Sequence, residues 1–283
     1  MAAFVNRRLF LQVLGGFISA SYIRPALSQD LALFAQTASA TLDRQFGSGN
    51  LSWLLLDSSG RTLAQHWPDA GQPLSAGSLF KPFLALAYGR QNNAVFPYVH
   101  CAGTADRCWL PSGHGTLGIE DALAHSCNAY FLSLASHLDT ERSAATFRSL
   151  GLAGPPQSAT PSTLIGLASD WRETPLTLAQ AYLALLEVRE PTRNLISHGM
   201  QRSAQSGTAA ALDFALGAGT VLAKTGTAAC THHPRAAADG FSVVLHPAGQ
   251  PRILLLLRMH AATGAQTSAQ AAAMLGALGF KKA

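Results

Sequence analysis

Charge is the scarcest property of this sequence. Only 12% of its 283 residues are Asp, Glu, Lys or Arg, about half the roughly 25% of an average soluble domain. Lysine is rarer still: Lys81, Lys224, Lys281 and Lys282 stand beside sixteen Arg. Two of these close the C-terminus, which leaves two within the body of the chain. No run of about eighteen uninterrupted apolar residues offers a bilayer span, so no stable membrane anchor is expected. The formal charge of +5 is also local, because Arg7, Arg8 and Arg24 fall in the first 28 residues, which hold no acid. Without them 17 basic residues face 15 acidic ones, a net +2 that makes no electrostatic case for nucleic acid. Disorder is excluded by the 48% of hydrophobic residues, enough for a sizeable core.

The basic start has a pattern of its own. Asn6-Arg7-Arg8-Leu9-Phe10-Leu11-Gln12 resembles the twin-arginine export motif, an apolar run to Ile23 follows, and Arg24-Pro25-Ala26-Leu27-Ser28 supplies small residues for cleavage after Ser28. Residues 1–28 are therefore read as a signal peptide and 29–283 as the working domain, in the periplasm. An uncleaved anchor or a first buried helix is the other reading of the same run. The chain has four cysteines. In an exported protein Cys101 and Cys108 are close enough in sequence for a local disulfide. With His114 and His125 they also supply zinc-type ligands, at spacings that match no standard zinc motif. Free thiols are the third possibility, and sequence leaves all three open.

Leu51 to Leu56, the turn Asp57-Ser58-Ser59-Gly60 and Arg61 to His66 read as a β-hairpin. A helix is predicted from Ser78 to about Gly89. Apolar spacings of three and four then predict helices over Ile119 to Ala124, Ala129 to His137, Glu141 to Leu150 and Thr177 to Leu186. Strand signals return at Gly219 to Lys224, Phe241 to Leu245 and Ile253 to Met259, and an Ala-rich helix from about Ala265 to Leu278 ends the pattern. Strands at both ends with helices between them imply an α+β fold: an antiparallel sheet completed from both ends, with a helical insertion. The sheet part is expected at about 45–77 and 215–283 and the helical part at about 78–214. The cleft between them is where function should lie.

Ser78-Leu79-Phe80-Lys81 puts a hydroxyl and an amine three positions apart, on one face of a helical turn. A serine needs a base to take its proton, and a lysine can be that base only when burial or a nearby cation lowers its pKa. Alone, the motif is a helix cap followed by a lysine. Ser126-Cys127-Asn128 and Lys224-Thr225-Gly226-Thr227 follow in order. Together the three resemble the active-site motifs of the serine penicillin-recognising enzymes, the penicillin-binding proteins and serine β-lactamases. Gly113-His114-Gly115, Thr174-Pro175-Leu176-Thr177-Leu178-Ala179-Gln180-Ala181-Tyr182 and the context of each motif resemble more narrowly the transpeptidase domain of penicillin-binding proteins, over roughly Leu51 to Phe280.

The resemblance implies a penicillin-binding-protein and serine β-lactamase-like fold, an antiparallel sheet flanked by helices with an all-helical subdomain. It implies a D,D-transpeptidase or D,D-carboxypeptidase whose partners are peptidoglycan stem peptides and β-lactams. Ser78 would be the nucleophile, Lys81 its base, and Ser126 the proton carrier to the leaving amine. Asn128 would hydrogen-bond the acyl side chain, Lys224, Thr225 and Thr227 would hold the substrate carboxylate, and Gly226 would let ligand lie against the strand. No cofactor and no catalytic metal are implied. A serine β-lactamase is the alternative, with Glu173 superficially placed like the loop glutamate of one class; a penicillin-binding sensor that acylates without turnover is another.

Overall fold

The computed structural model describes residues 19–47, 49–217, 219–230 and 238–280, with side chains from residue 31 onward. The expected twin-arginine motif lies outside the described residues. The chain runs through α1 (Ser19–Phe46), β1 (Leu51–Asp57), β2 (Thr62–His66), a 3₁₀ turn (Gly77–Phe80), α2 (Lys81–Gln91), β3 (Val99–Cys101), β4 (Gly115–Leu117) and α3 (Ile119–Ala124). Then come α4 (Asn128–Ala135), α5 (Thr140–Ser149), α6 (Pro161–Leu164), α7 (Pro175–Glu187), α8 (Pro191–Ser206) and α9 (Ala211–Leu216). Strands β5 (Leu222–Ala228), β6 (Asp239–His246) and β7 (Ile253–His260) and helix α10 (Gly264–Ala277) complete it.

The main sheet has the order β2-β1-β7-β6-β5, with every neighbouring pair antiparallel. Strands from both ends of the chain thus complete one sheet, as the α+β reading expected. Both faces are covered, which explains why β1 reads Leu-Ser-Trp-Leu-Leu-Leu-Asp and is buried throughout. Alternation still sorts the side chains. Trp53, Leu55, Leu255 and Leu257 face Ala38 and Leu42 of α1 and Met274 and Leu275 of α10. Leu54, Leu56, Leu254 and Leu256 face the opposite core, with Phe80, Phe83 and Leu84 at the start of the helical region.

Two long helices had no clear signal in the pattern. Helix α8 buries Thr192, Ile196, Gly199, Met200, Ser203 and Ala204, a regular helical stripe whose members are mostly small or polar, so its hydrophobic contrast is weak. The small size serves close packing: a Cβ on Gly199 would stand 2.7 Å from Leu123 Cβ in α3. Helix α1 continues through the expected cleavage point after Ser28 to Phe46, and its described part seats Ala38 and Leu42 against the sheet. Among the described residues, no helix is long and apolar enough to cross a membrane.

Candidate active site

The 3₁₀ turn carrying Ser78 lies against β5, and two glycines make that contact possible. Gly77 has a φ of +58°, and a Cβ there would stand 2.2 Å from the Thr227 carbonyl oxygen. A Cβ on Gly226 would stand 2.4 Å from the Ala76 carbonyl oxygen and 3.2 Å from the Leu79 nitrogen. The sequence reading assigned Gly226 to ligand approach; the structure gives it a prior task, letting the backbone before Ser78 approach the strand. Tyr182 Oη donates to the Leu79 carbonyl at 2.7 Å, and the Phe80 ring stacks on Trp171 with centroids 4.1 Å apart. These contacts fix the turn without using the Ser78 hydroxyl. Gly77→Ala is therefore expected to cost about 1–3 kcal/mol of backbone strain and to slow any chemistry at Ser78; thermal unfolding and β-lactam labelling rates measure both, and an unchanged labelling rate would refute it.

Lys81, at the first position of α2, is fully buried. Its Nζ donates to the Ser126 carbonyl at 2.7 Å and to Asn128 Oδ1 at 2.7 Å, and lies 3.2 Å from Ser126 Oγ. Burial pushes its ammonium down to about 7, against a smaller opposing pull from the Cys127 and Cys108 sulfurs. Lys224 on β5 is also fully buried, and its Nζ lies 2.8 Å from Ser126 Oγ and donates to the Thr225 carbonyl at 2.7 Å. Burial first, and then the neighbouring Lys81, hold Lys224 well below the ordinary lysine range. One hydroxyl thus stands between two amines that disfavour each other's charge. Each can exchange a proton through Ser126.

Ser126 reaches this position at a backbone cost. Helix α3 ends at Ala124, and Ser126 takes a φ of +52°, in the left-handed region that non-glycine residues avoid. That single residue turns the chain so that Cys127 caps α4 and Asn128 begins it. The strain, about 1–3 kcal/mol for such a conformer, is typical of functional positions. Asn128 was expected to contact the acyl side chain. Here its Oδ1 accepts from Lys81 and its Nδ2 donates to the Arg107 carbonyl at 3.3 Å, so both ends of the amide position the site from within.

These residues open onto one groove of about 440 Å³. Ser78, Ser126, Asn128, Thr225, Gly226 and Thr227 all line it. The buried amines of Lys81 and Lys224 lie behind that wall. Trp109 and Leu167, large apolar side chains 53% and 46% exposed, form its outer rim. Two contributors had no sequence signal. Thr225 Oγ1 donates to Thr208 Oγ1 at 2.6 Å, and the Gly264 N–H at the start of α10 donates to Thr227 Oγ1 at 3.1 Å. Thr208 sits in the turn after α8, where no spacing rule connects it to β5. A second concavity of about 410 Å³, beside Arg189, Arg193 and Pro251, contains none of the motif residues.

Glu173, the residue with a superficial likeness to a deacylating glutamate, is buried elsewhere. Its carboxylate accepts from Trp171 Nε1 at 3.1 Å and from the Gly154 and Ala153 amides at 2.9 and 3.3 Å. It does not line the groove of Ser78. Cys101, Cys108 and Cys127 form no disulfide in the structure. Cys127 joins Cys101 and Cys108 around His114. His125 instead stacks on the His114 ring at 5.7 Å.

A five-stranded antiparallel sheet, a helical cap and a groove where a serine meets two buried lysines define the penicillin-recognising serine fold. The model of the penicillin-binding protein transpeptidase domain matches residues 69–278, and the chain belongs to that family. Solved structures agree on the fold. The transpeptidase domain of Burkholderia pseudomallei penicillin-binding protein 3 is 16% identical with a TM-score of 0.67, the match covering 88% of this chain and 93% of that one. Penicillin-binding protein 2 of Pseudomonas aeruginosa, in complex with WCK 5153, is 20% identical with a TM-score of 0.67, covering 88% and 76%. PBPA of Mycobacterium tuberculosis is 17% identical with a TM-score of 0.66, covering 87% and 80%. A search among curated proteins found no match.

Proposed function

We propose that this chain is a penicillin-binding serine acyltransferase acting on D-Ala-D-Ala stem peptides of peptidoglycan, as a transpeptidase or carboxypeptidase, in the periplasm after twin-arginine-type export. The observation that carries the reading is the convergence of two buried lysine amines on Ser126 Oγ beside the groove lined by Ser78. Ser78 Oγ attacks the carbonyl carbon of the penultimate D-Ala while neutral Lys81 takes its proton. Charge then develops on the carbonyl oxygen. The N–H groups of Ser78 and Thr227 are assigned to it, a pairing favoured by the approach of Gly77 to the Thr227 peptide.

Collapse of the tetrahedral intermediate breaks the peptide bond, and the departing D-Ala nitrogen gains its proton through Ser126 from the lysine pair. Lys224, Thr225 and Thr227 hold the terminal carboxylate, whose arrival favours the charged form of Lys224. The acyl-enzyme is then taken by an amine, which makes a crosslink, or by water, which makes a shortened peptide. Glu173, turned into Trp171, is not placed to activate a deacylating water.

The test is D-Ala release from a stem pentapeptide with and without an amine acceptor, beside labelling by a fluorescent β-lactam. The expected result is D-Ala release that stops once the β-lactam label is in place, with the label lasting far beyond a catalytic cycle. A label shed within seconds with release of hydrolysed β-lactam would replace this reading with a β-lactamase. A lasting label with no D-Ala release would leave a non-turnover sensor.

A further inference from the structure

Beside the acyl-transfer groups, the structure gathers four soft or borderline donors in one place: the sulfurs of Cys101, Cys108 and Cys127 and a ring nitrogen of His114, all within 4.8 Å of one another. His114 Nδ1 lies 3.6 Å from Cys101 Sγ and 3.5 Å from Cys108 Sγ, and the Cys108 and Cys127 sulfurs are 3.9 Å apart. A tetrahedral zinc ion, with Zn–S of about 2.3 Å and Zn–N of about 2.0–2.1 Å, requires sulfur atoms about 3.8 Å apart and sulfur–nitrogen pairs about 3.6 Å apart. The three distances match those edges. A disulfide would need sulfurs about 2.05 Å apart, and none of these cysteines is bridged.

The backbone is shaped to hold the four together. Strands β3 and β4 pair with Cys101 opposite Gly115, which brings His114 beside Cys101. The loop between them doubles back so closely that a Cβ on Gly113 would stand 2.2 Å from the Cys101 carbonyl oxygen and 2.6 Å from the Gly103 nitrogen. Gly103 and Gly113 both have positive φ, +79° and +76°, which their lack of a side chain permits. Cys108 comes from the loop and Cys127 from the N-terminus of α4. All three cysteines are at most 5% exposed.

We infer that Cys101, Cys108, His114 and Cys127 form a thiolate-rich zinc site that fastens the 102–114 loop to the start of α4. The acyl-transfer reading is not needed for this inference. Binding deprotonates the three thiols, releases three protons, and joins three thiolates and one neutral imidazole to a divalent ion, leaving a complex of charge −1. The fastening has a consequence for the groove, because Cys127 lies between Ser126 and Asn128 in the chain. The loop also supplies Trp109, whose Nε1 donates to the His125 carbonyl at 3.1 Å, and the Arg107 carbonyl that accepts from Asn128.

The test uses the full chain produced with zinc, then exchanged with Co²⁺. Elemental analysis is expected to find zinc bound in about equimolar amount at this site. The cobalt form is expected to show intense tetrahedral visible bands and a strong thiolate-to-cobalt charge-transfer band in the near ultraviolet. Cys230, Asp239 and His260 make a separate three-donor cluster beyond the end of β5, so a metal count alone does not place the ion. The double substitution Cys101→Ser with Cys108→Ser is expected to remove the charge-transfer band and the zinc bound here. If that variant fails to fold, the wild-type cobalt spectrum still decides, because the other cluster offers a single thiolate and a much weaker charge-transfer band. Chelation of the wild type is expected to speed amide exchange in residues 102–114. A weak, octahedral cobalt spectrum in the wild type, unchanged bands in a folded double variant, or unchanged exchange after zinc removal would overturn the inference. All of these measurements are made without substrate, so they stand or fall apart from the acyl-transfer reading.

Discussion

Ser78→Ala is expected to form no covalent adduct with a β-lactam, a fall in acylation of about four orders of magnitude or more. The change deletes one oxygen. The turn that carries it is held by the Gly77 and Gly226 approaches, the Tyr182 hydrogen bond to Leu79 and the Phe80–Trp171 stack, none of which uses that oxygen. The variant should therefore melt within about 0.5 kcal/mol of wild type, as a substitution outside the core and outside the hydrogen-bond network does. It should still bind β-lactam reversibly, because Thr225, Thr227 and Lys224 are untouched. In-gel fluorescence after denaturation separates the two states: a bound but unattached ligand is lost, an acyl-enzyme is kept. Labelling of Ser78→Ala at anything near the wild-type rate would show that another group is the nucleophile.

Lys81→Arg and Lys81→Met are each expected to slow acylation by about 10²–10⁴-fold, the usual contribution of a positioned base. The two substitutions fail for different reasons. Arginine stays protonated in proteins and cannot accept the Ser78 proton, and its fork is too large for a site with no exposed surface. Methionine keeps an unbranched buried side chain but has no basic nitrogen, and it leaves Asn128 Oδ1 and the Ser126 carbonyl without their donor. The wild-type rate should also depend on pH with a definite sign. The reactive form of Lys81 is the neutral amine, and burial brings its pKa down to about 7, so acylation should be slow below that value and rise to a plateau above it. The same limb should vanish in Lys81→Met. A wild-type profile that stayed flat as the pH rose through about 7, or one that fell, would contradict a lysine base.

Much of this site was legible because its chemistry needs particular residue types at short spacings. Ser78 and Lys81 are neighbours on one helical turn, and a chain that otherwise prefers arginine keeps interior lysines only at 81 and 224. The strands were legible for a similar reason: β1 and β7 are continuous apolar runs because both faces of the sheet are covered. Strand β5 was read only to Lys224, since Thr225-Gly226-Thr227 has no apolar alternation; in the structure those residues remain in the ladder to Ala228. Helix α8 escaped because small residues on its buried face, Gly199 and Ser203 among them, give close contact without hydrophobic contrast.

What could not be read were the relations made by the fold alone. Thr208 meets Thr225, and Gly264 meets Thr227, through turns remote from any motif. The cysteines show the same limit from the other side. Spacing nominated Cys101, Cys108, His114 and His125, but the left-handed turn at Ser126 directs Cys127 inward and leaves His125 stacked outside the cluster. A two-residue shift in which side chain supplies the fourth donor beside His114 lies beyond sequence spacing.

The central claim is that Ser78 is the acylated nucleophile of this groove, and peptide mapping of the β-lactam adduct tests it most directly. Wild-type protein, incubated with a β-lactam and digested, is predicted to carry one adduct equal in mass to the whole ring-opened antibiotic, on the fragment containing Ser78 and located at that residue by fragmentation. An adduct on any other residue, or no mass shift on a protein that is folded and holds the antibiotic reversibly, would contradict it.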